Sequence, residues 1–103
     1  EIYDRYRGNL HAEKILLFLS EMRREAFLYG MEIEITLQDG ALKTREGKFF
    51  KPEIGKIDMP EPIIFYPLGT SRGGKLFYHY GKITFLIEVK APFGEILLSE
   101  SYS

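Results

Sequence analysis

No cysteine occurs in this chain, and no apolar run is longer than Ile15-Leu16-Leu17-Phe18-Leu19. The first absence excludes disulfides, a thiolate metal site and a cysteine nucleophile. It leaves the redox compartment open, because a chain in an oxidising compartment need not use disulfides. The second leaves nothing near the roughly 20 apolar residues that span a bilayer; the run is followed by Glu21, Arg23, Arg24 and Glu25. Charge of one sign is missing too. With 14 basic residues against 15 acidic ones, the formal net charge of -1 gives no electrostatic reason to expect nucleic acid or an anionic membrane surface as partner. Internal repeats and low-complexity segments are absent. What remains is 103 residues, 45% hydrophobic and 15% aromatic, enough for one domain with a modest core and too few for two.

Along that length the pattern divides. In residues 10–29 the apolar positions recur at helical spacing, with Ala12, Ile15, Leu16, Leu19, Met22 and Ala26 on one face. Gly30 follows where a left-handed cap is expected. Residues 1–7 also suit a helix. Asn9 could open a helix as its N-cap, but we expect one continuous helix, with Gly8 costing it about 1 kcal/mol relative to Ala. A second apolar stripe, Tyr3, Tyr6, Leu10, Leu17 and Leu28, falls on the opposite side among Glu13, Lys14, Glu21 and Arg24. A helix packed on one sheet needs one stripe, so the second is either scattered surface or a contact face.

After Gly30 the period becomes two. Residues 32–37 alternate, with Ile33, Ile35 and Leu37 inward and Glu32, Glu34 and Thr36 outward. Gln38-Asp39-Gly40 signals a turn into a returning strand over residues 42–45. Pro52, Gly55, Pro60 and Pro62 allow only short strands near Phe49 and Ile57. Residues 63–66 form another strand, and residues 75–80 and 82–90 form a hairpin around Gly81. The second arm carries Ile83, Phe85, Ile87 and Val89 on one face. Ala91-Pro92-Phe93-Gly94 turns the chain into a last strand over residues 95–99. Strands following a single helix, without helical crossovers, predict an α+β fold: one long N-terminal helix packed on an antiparallel sheet.

Candidate chemistry is sparse. His11 and His79 lack a second metal ligand nearby in sequence, and a structural role suits both better. Ser20, Ser71 and Ser99 have no nucleophile-elbow context. Gly69-Thr70-Ser71-Arg72-Gly73-Gly74 lacks the spacing and the following helix of a phosphate loop, so it reads as a turn. Glu32, Glu34, Glu88, Glu95 and Glu100 fall mostly on solvent faces. Phe77, Tyr78, Tyr80 and Phe85 could stack bases, but basic companions are missing. Arg23 projects near Leu16 and Leu19, where it must snorkel out or find a carboxylate that locks helix to sheet. No cofactor, metal or catalytic residue is expected.

Two segments carry a family resemblance. The first is Met22-Arg23-Arg24-Glu25-Ala26-Phe27-Leu28-Tyr29-Gly30 with the strand after it. The second is Met59-Pro60, then Ile64-Phe65-Tyr66-Pro67-Leu68-Gly69, Gly73-Gly74 and Val89-Lys90-Ala91-Pro92-Phe93-Gly94-Glu95-Ile96. In order and spacing they resemble the globular part of minor pseudopilins of type II secretion and related minor type IV pilins, the GspH/FimT family. The resemblance implies a short leader removed by a prepilin peptidase, then an apolar helix anchored in the inner membrane. Residues 1–30 would be the lower half of that spine helix, and residues 31–103 the antiparallel β part, together one domain in the periplasm. Glu1 in place of an initiating Met fits a fragment or processed product.

The resemblance also implies a structural subunit of a hetero-oligomeric fibre, partnered by other pseudopilins or pilins and doing no catalysis. Tyr3, Tyr6, Leu10, Leu17 and Leu28 become its expected subunit contacts. The rival reading is a small ligand-binding or enzymatic domain with a pocket among Tyr66, Tyr78, His79 and Tyr80.

Overall fold

One helix, α1 (Ile2–Tyr29), runs unbroken through Gly8, as its spacing predicts. The computed structural model describes residues 2–101. Glu1, expected in the helix, and Tyr102 and Ser103, expected in the β part, lie outside the described residues. Gly8 is a close-approach residue. A Cβ there would stand 2.9 Å from Phe85 Cε2 and 3.2 Å from Tyr80 Cδ1. Its helix-propensity cost therefore admits two aromatic rings against the helix backbone. Asn9 does not cap a helix start; its Nδ2 donates to Glu13 Oε2 one turn on, at 3.0 Å. At the other end Gly30 takes φ 59°, and the Met31 N–H closes onto the Ala26 carbonyl at 3.1 Å. That six-residue closure is the Schellman stop.

The buried side of α1 is Gly8, Ala12, Ile15, Phe18, Leu19, Met22 and Ala26. One expected member is displaced: Leu16 is only half-buried and Phe18 takes its place. The reason is long-range. The ring of Phe50 reaches Phe18 with centroids 6.0 Å apart and covers that edge of the helix.

Eight strands follow: β1 (Ile33–Gln38), β2 (Ala41–Thr44), β3 (Phe49–Phe50), β4 (Lys56–Asp58), β5 (Ile63–Phe65), β6 (Gly74–Tyr80), β7 (Ile83–Lys90) and β8 (Glu95–Ser101). Asp39 and Gly40, with φ 52° and 77°, make the tight turn between β1 and β2, whose ladder ends on the Gln38–Ala41 pair. Positive φ at both loop residues is what the Asp-Gly pair supplies. Gly81 and Lys82 close the β6–β7 hairpin on the Tyr80–Ile83 pair.

The expected single sheet is in fact two antiparallel four-stranded sheets, ordered β3-β2-β1-β5 and β4-β6-β7-β8. The chain changes sheet three times, and proline lies in each crossing: Pro52 before β4, Pro60 and Pro62 before β5, Pro67 before β6. Proline supplies no N–H to a ladder, so each strand stops there and the next pairs elsewhere. Ile33 and Ile35 of the first sheet, Leu76, Tyr78, Phe85 and Ile87 of the second, and the inner side of α1 belong to one buried cluster. Each fully buried Ile, Leu or Phe among them contributes about 1.5–3 kcal/mol.

Candidate docking face

With its inner side against the sheets, α1 turns the second stripe outward. Tyr3, Tyr6, Leu10, Leu17 and Leu28 are 67, 63, 43, 60 and 57% exposed. At 100° per residue they share an arc of about 60°, centred roughly 160° from the middle of the buried arc. A helix of 28 residues is about 42 Å long, and the molecule measures 43 × 25 × 21 Å. The stripe therefore runs the full long edge of the protein. Its sides are polar: Glu13, Lys14, Glu21 and Arg24 are all exposed. Near the start, the Arg7 guanidinium carbon lies 5.6 Å from the Tyr3 ring centroid, within cation–π range.

Arg23 has partners, though not the carboxylate expected. Its Nε donates to the Gly69 carbonyl at 3.1 Å and one terminal nitrogen donates to the Phe93 carbonyl at 2.8 Å. The guanidinium fork thus ties α1 to two loops at once. Gly94 belongs to the same node: a Cβ there would stand 2.5 Å from the Gly69 carbonyl oxygen, and its φ is 80°. Ser71, buried beside them, donates its Oγ–H to the Ile64 carbonyl at 2.7 Å. It accepts from the Gly73 N–H at 3.1 Å, and its own N–H reaches the Pro92 carbonyl at 3.0 Å. The segment around Gly69 is a β-turn closed from the Gly69 N–H to the Tyr66 carbonyl, with Pro67 at its second position. Residues far apart in sequence, from both resemblance segments, therefore meet at one structural knot.

The remaining candidates do not converge on a reaction centre. His11 stacks on Tyr80 with ring centroids 5.7 Å apart, and His79 Nδ1 lies 3.0 Å from Thr84 Oγ1. Among the described residues no three His, Asp or Glu side chains gather as ligands. Tyr78 and Tyr80 point into the core, whereas His79 alternates to the other face of β6, so these rings do not line one pocket with Tyr66. Tyr78 donates its hydroxyl to the Ile54 carbonyl, pinning the loop before β4. Burial, then the neighbouring Tyr80, pushes the Tyr78 phenol up to about 12. Phe85 is also buried, which takes three of the four rings considered for base stacking into the core. Glu32 and Glu95 are exposed, Glu34 and Glu88 half-buried, and Glu100 pairs with Arg5 Nε at 3.0 Å.

A smaller exposed apolar group escaped the sequence reading. Phe27, Leu68 and Phe93 are all exposed on the three elements joined by Arg23. The available signal was an apolar residue in each Pro-containing turn; their proximity is a product of the fold. No helix among the described residues is long and apolar enough to cross a membrane. No family model, curated protein or solved structure matches the chain.

Proposed function

We propose that this chain is a pilin-like assembly subunit, a minor pseudopilin of a type II secretion pseudopilus or a minor pilin of a type IV system. It works by burying helix surface against neighbouring subunits and carries out no reaction. The observation that carries this reading is the outward stripe of α1, an apolar seam along the whole long edge that no part of the described chain covers. An aqueous helix facing one core needs one apolar side, and a second side is best used in a contact. The Arg23 node lends support, because it holds the helix end rigidly on the loops whose sequence carries the family resemblance.

In this reading the upper part of the spine, ahead of Glu1, is an apolar helix anchored in the inner membrane, and the β part lies in the periplasm. The partners are other pseudopilins or pilins, and neither cofactor nor nucleic acid takes part. The coding sequence ahead of Glu1 tests it. A short basic leader, a glycine before the cleavage point, a glutamate soon after it and about 20 apolar residues are expected. A natural start at Glu1 with no apolar segment ahead would overturn the reading.

A further inference from the structure

We propose that a second copy of this chain docks on the α1 stripe, parallel and in register. The inference names a partner for the candidate docking face and so rests on the reading of that stripe as a contact surface. Its warrant is how charge is arranged about the seam. Taking the middle of the stripe as zero, Leu10, Leu17 and Leu28 lie within about 10° of it. Tyr3 and Glu21 lie about 30° to one side and Lys14 about 50°, while Tyr6 and Arg24 lie about 30° to the other side and Glu13 about 50°.

When two parallel helices meet about a twofold axis along the seam, the right flank of one faces the left flank of the other. Lys14 then meets Glu13 of the second copy, offset along the axis by about 1.5 Å. Glu21 meets Arg24 and Tyr3 meets Tyr6, each offset by about 4.5 Å. The three leucines meet themselves. Each flank contact occurs twice by symmetry, and each leucine pair once, on the axis.

Antiparallel packing uses the stripe less fully. There each flank meets its own kind reversed. The register that sets Leu10 opposite Leu17 brings Glu13 beside Glu13 and Lys14 beside Lys14. The register that sets Leu10 opposite Leu28 brings Glu13 to Arg24 and Lys14 to Glu21, but it leaves Tyr3 and Tyr6 beyond the overlap and Leu17 facing position 21, so parallel packing alone joins these charge pairs to the whole apolar stripe. Nor does the monomer use these charges in ion pairs of its own: among the described residues the ion pairs are Arg5 with Glu100 and Lys48 with Glu25. Among the described residues Glu13 accepts from the Asn9 amide at the surface. The inner side of α1 packs on both sheets, which leaves the stripe facing outward. Such a seam buries on the order of 1,000 Å² in total, at the weak end of specific interfaces, so the pair is a concentration-dependent dimer.

Sedimentation equilibrium and cysteine crosslinking on the 103-residue chain provide the test. The protein has no native cysteine, so an introduced thiol reports unambiguously. Oxidising an equimolar mixture of Leu10→Cys and Leu17→Cys should give 10–10 and 17–17 disulfides, well above a Leu97→Cys control. Lys14→Glu should raise the dimer Kd about tenfold, and adding Glu13→Lys should restore it. These exposed changes leave the core intact.

Overturning results are a monomer at about 1 mM protein, a 10–17 disulfide as the main product, or charge variants indistinguishable from the parent. A chain that stays monomeric yet captures other pilin-like subunits through the stripe would end this inference and leave the proposed function standing. Dimerisation by a chain whose stripe variants still assemble normally would do the reverse.

Discussion

The two sides of α1 are both apolar, yet only one has a partner within the described chain. On the inner side Ile15 and Leu19 are fully buried against two sheets, and Gly8 has given up its side chain to admit Phe85 and Tyr80. On the outer side Tyr3, Tyr6, Leu17 and Leu28 are each more than half exposed. The contrast teaches that hydrophobic periodicity locates faces but does not say which of them the fold consumes. The inner side accounts for stability. The outer one faces solvent, where the proposed function puts a contact.

The contrast can be attacked first where it predicts the largest effect. Leu19→Ala removes a fully buried side chain and should cost about 3 kcal/mol in urea unfolding; a loss below about 1 kcal/mol would mean the helix is not held on its inner side. Next comes Tyr78, a tyrosine under the helix where the stripe has tyrosines in water. Its folded pKa of about 12 exceeds the ordinary 10. The folded state therefore keeps a proton that the unfolded chain loses, so this contribution is whole below pH 10 and disappears as pH rises toward 12. The integrated loss is roughly 2–3 kcal/mol. Tyr78→Phe should flatten that part of the stability–pH curve relative to the parent, and identical curves would refute the assignment.

Arg23 sits on the margin between the two sides. Arg23→Ala should cost about 2 kcal/mol and raise hydrogen exchange in the 66–70 and 91–94 turns. Arg23→Lys should recover only part, since one ammonium cannot serve both carbonyls with the fixed fork of a guanidinium. Smallest is Leu17→Ala, expected within about 0.5 kcal/mol of the parent. A loss like that of Leu19→Ala would erase the distinction between the sides.

Much of this was legible in the residues. The Asp39-Gly40 turn, the Gly30 stop, the β6–β7 hairpin and the outward stripe follow from φ requirements and periodicity that act locally. Three features were not. Prolines at 52, 60, 62 and 67 announce strand ends but not destinations, so the second sheet was hidden. Leu16 and Phe18 are both apolar on a helix with two apolar sides, and Phe50, distant in sequence, decides between them. The partners of Arg23 are backbone carbonyls, which leave no mark on composition.

The central claim, that the outer side of α1 is a contact face between pilin-like subunits, is tested most directly by following the double variant Leu17→Glu with Leu28→Glu into assembled fibres. A melting temperature within a few degrees of the parent, with fibre incorporation lost, is the expected result. Normal incorporation of the folded double variant would contradict the account.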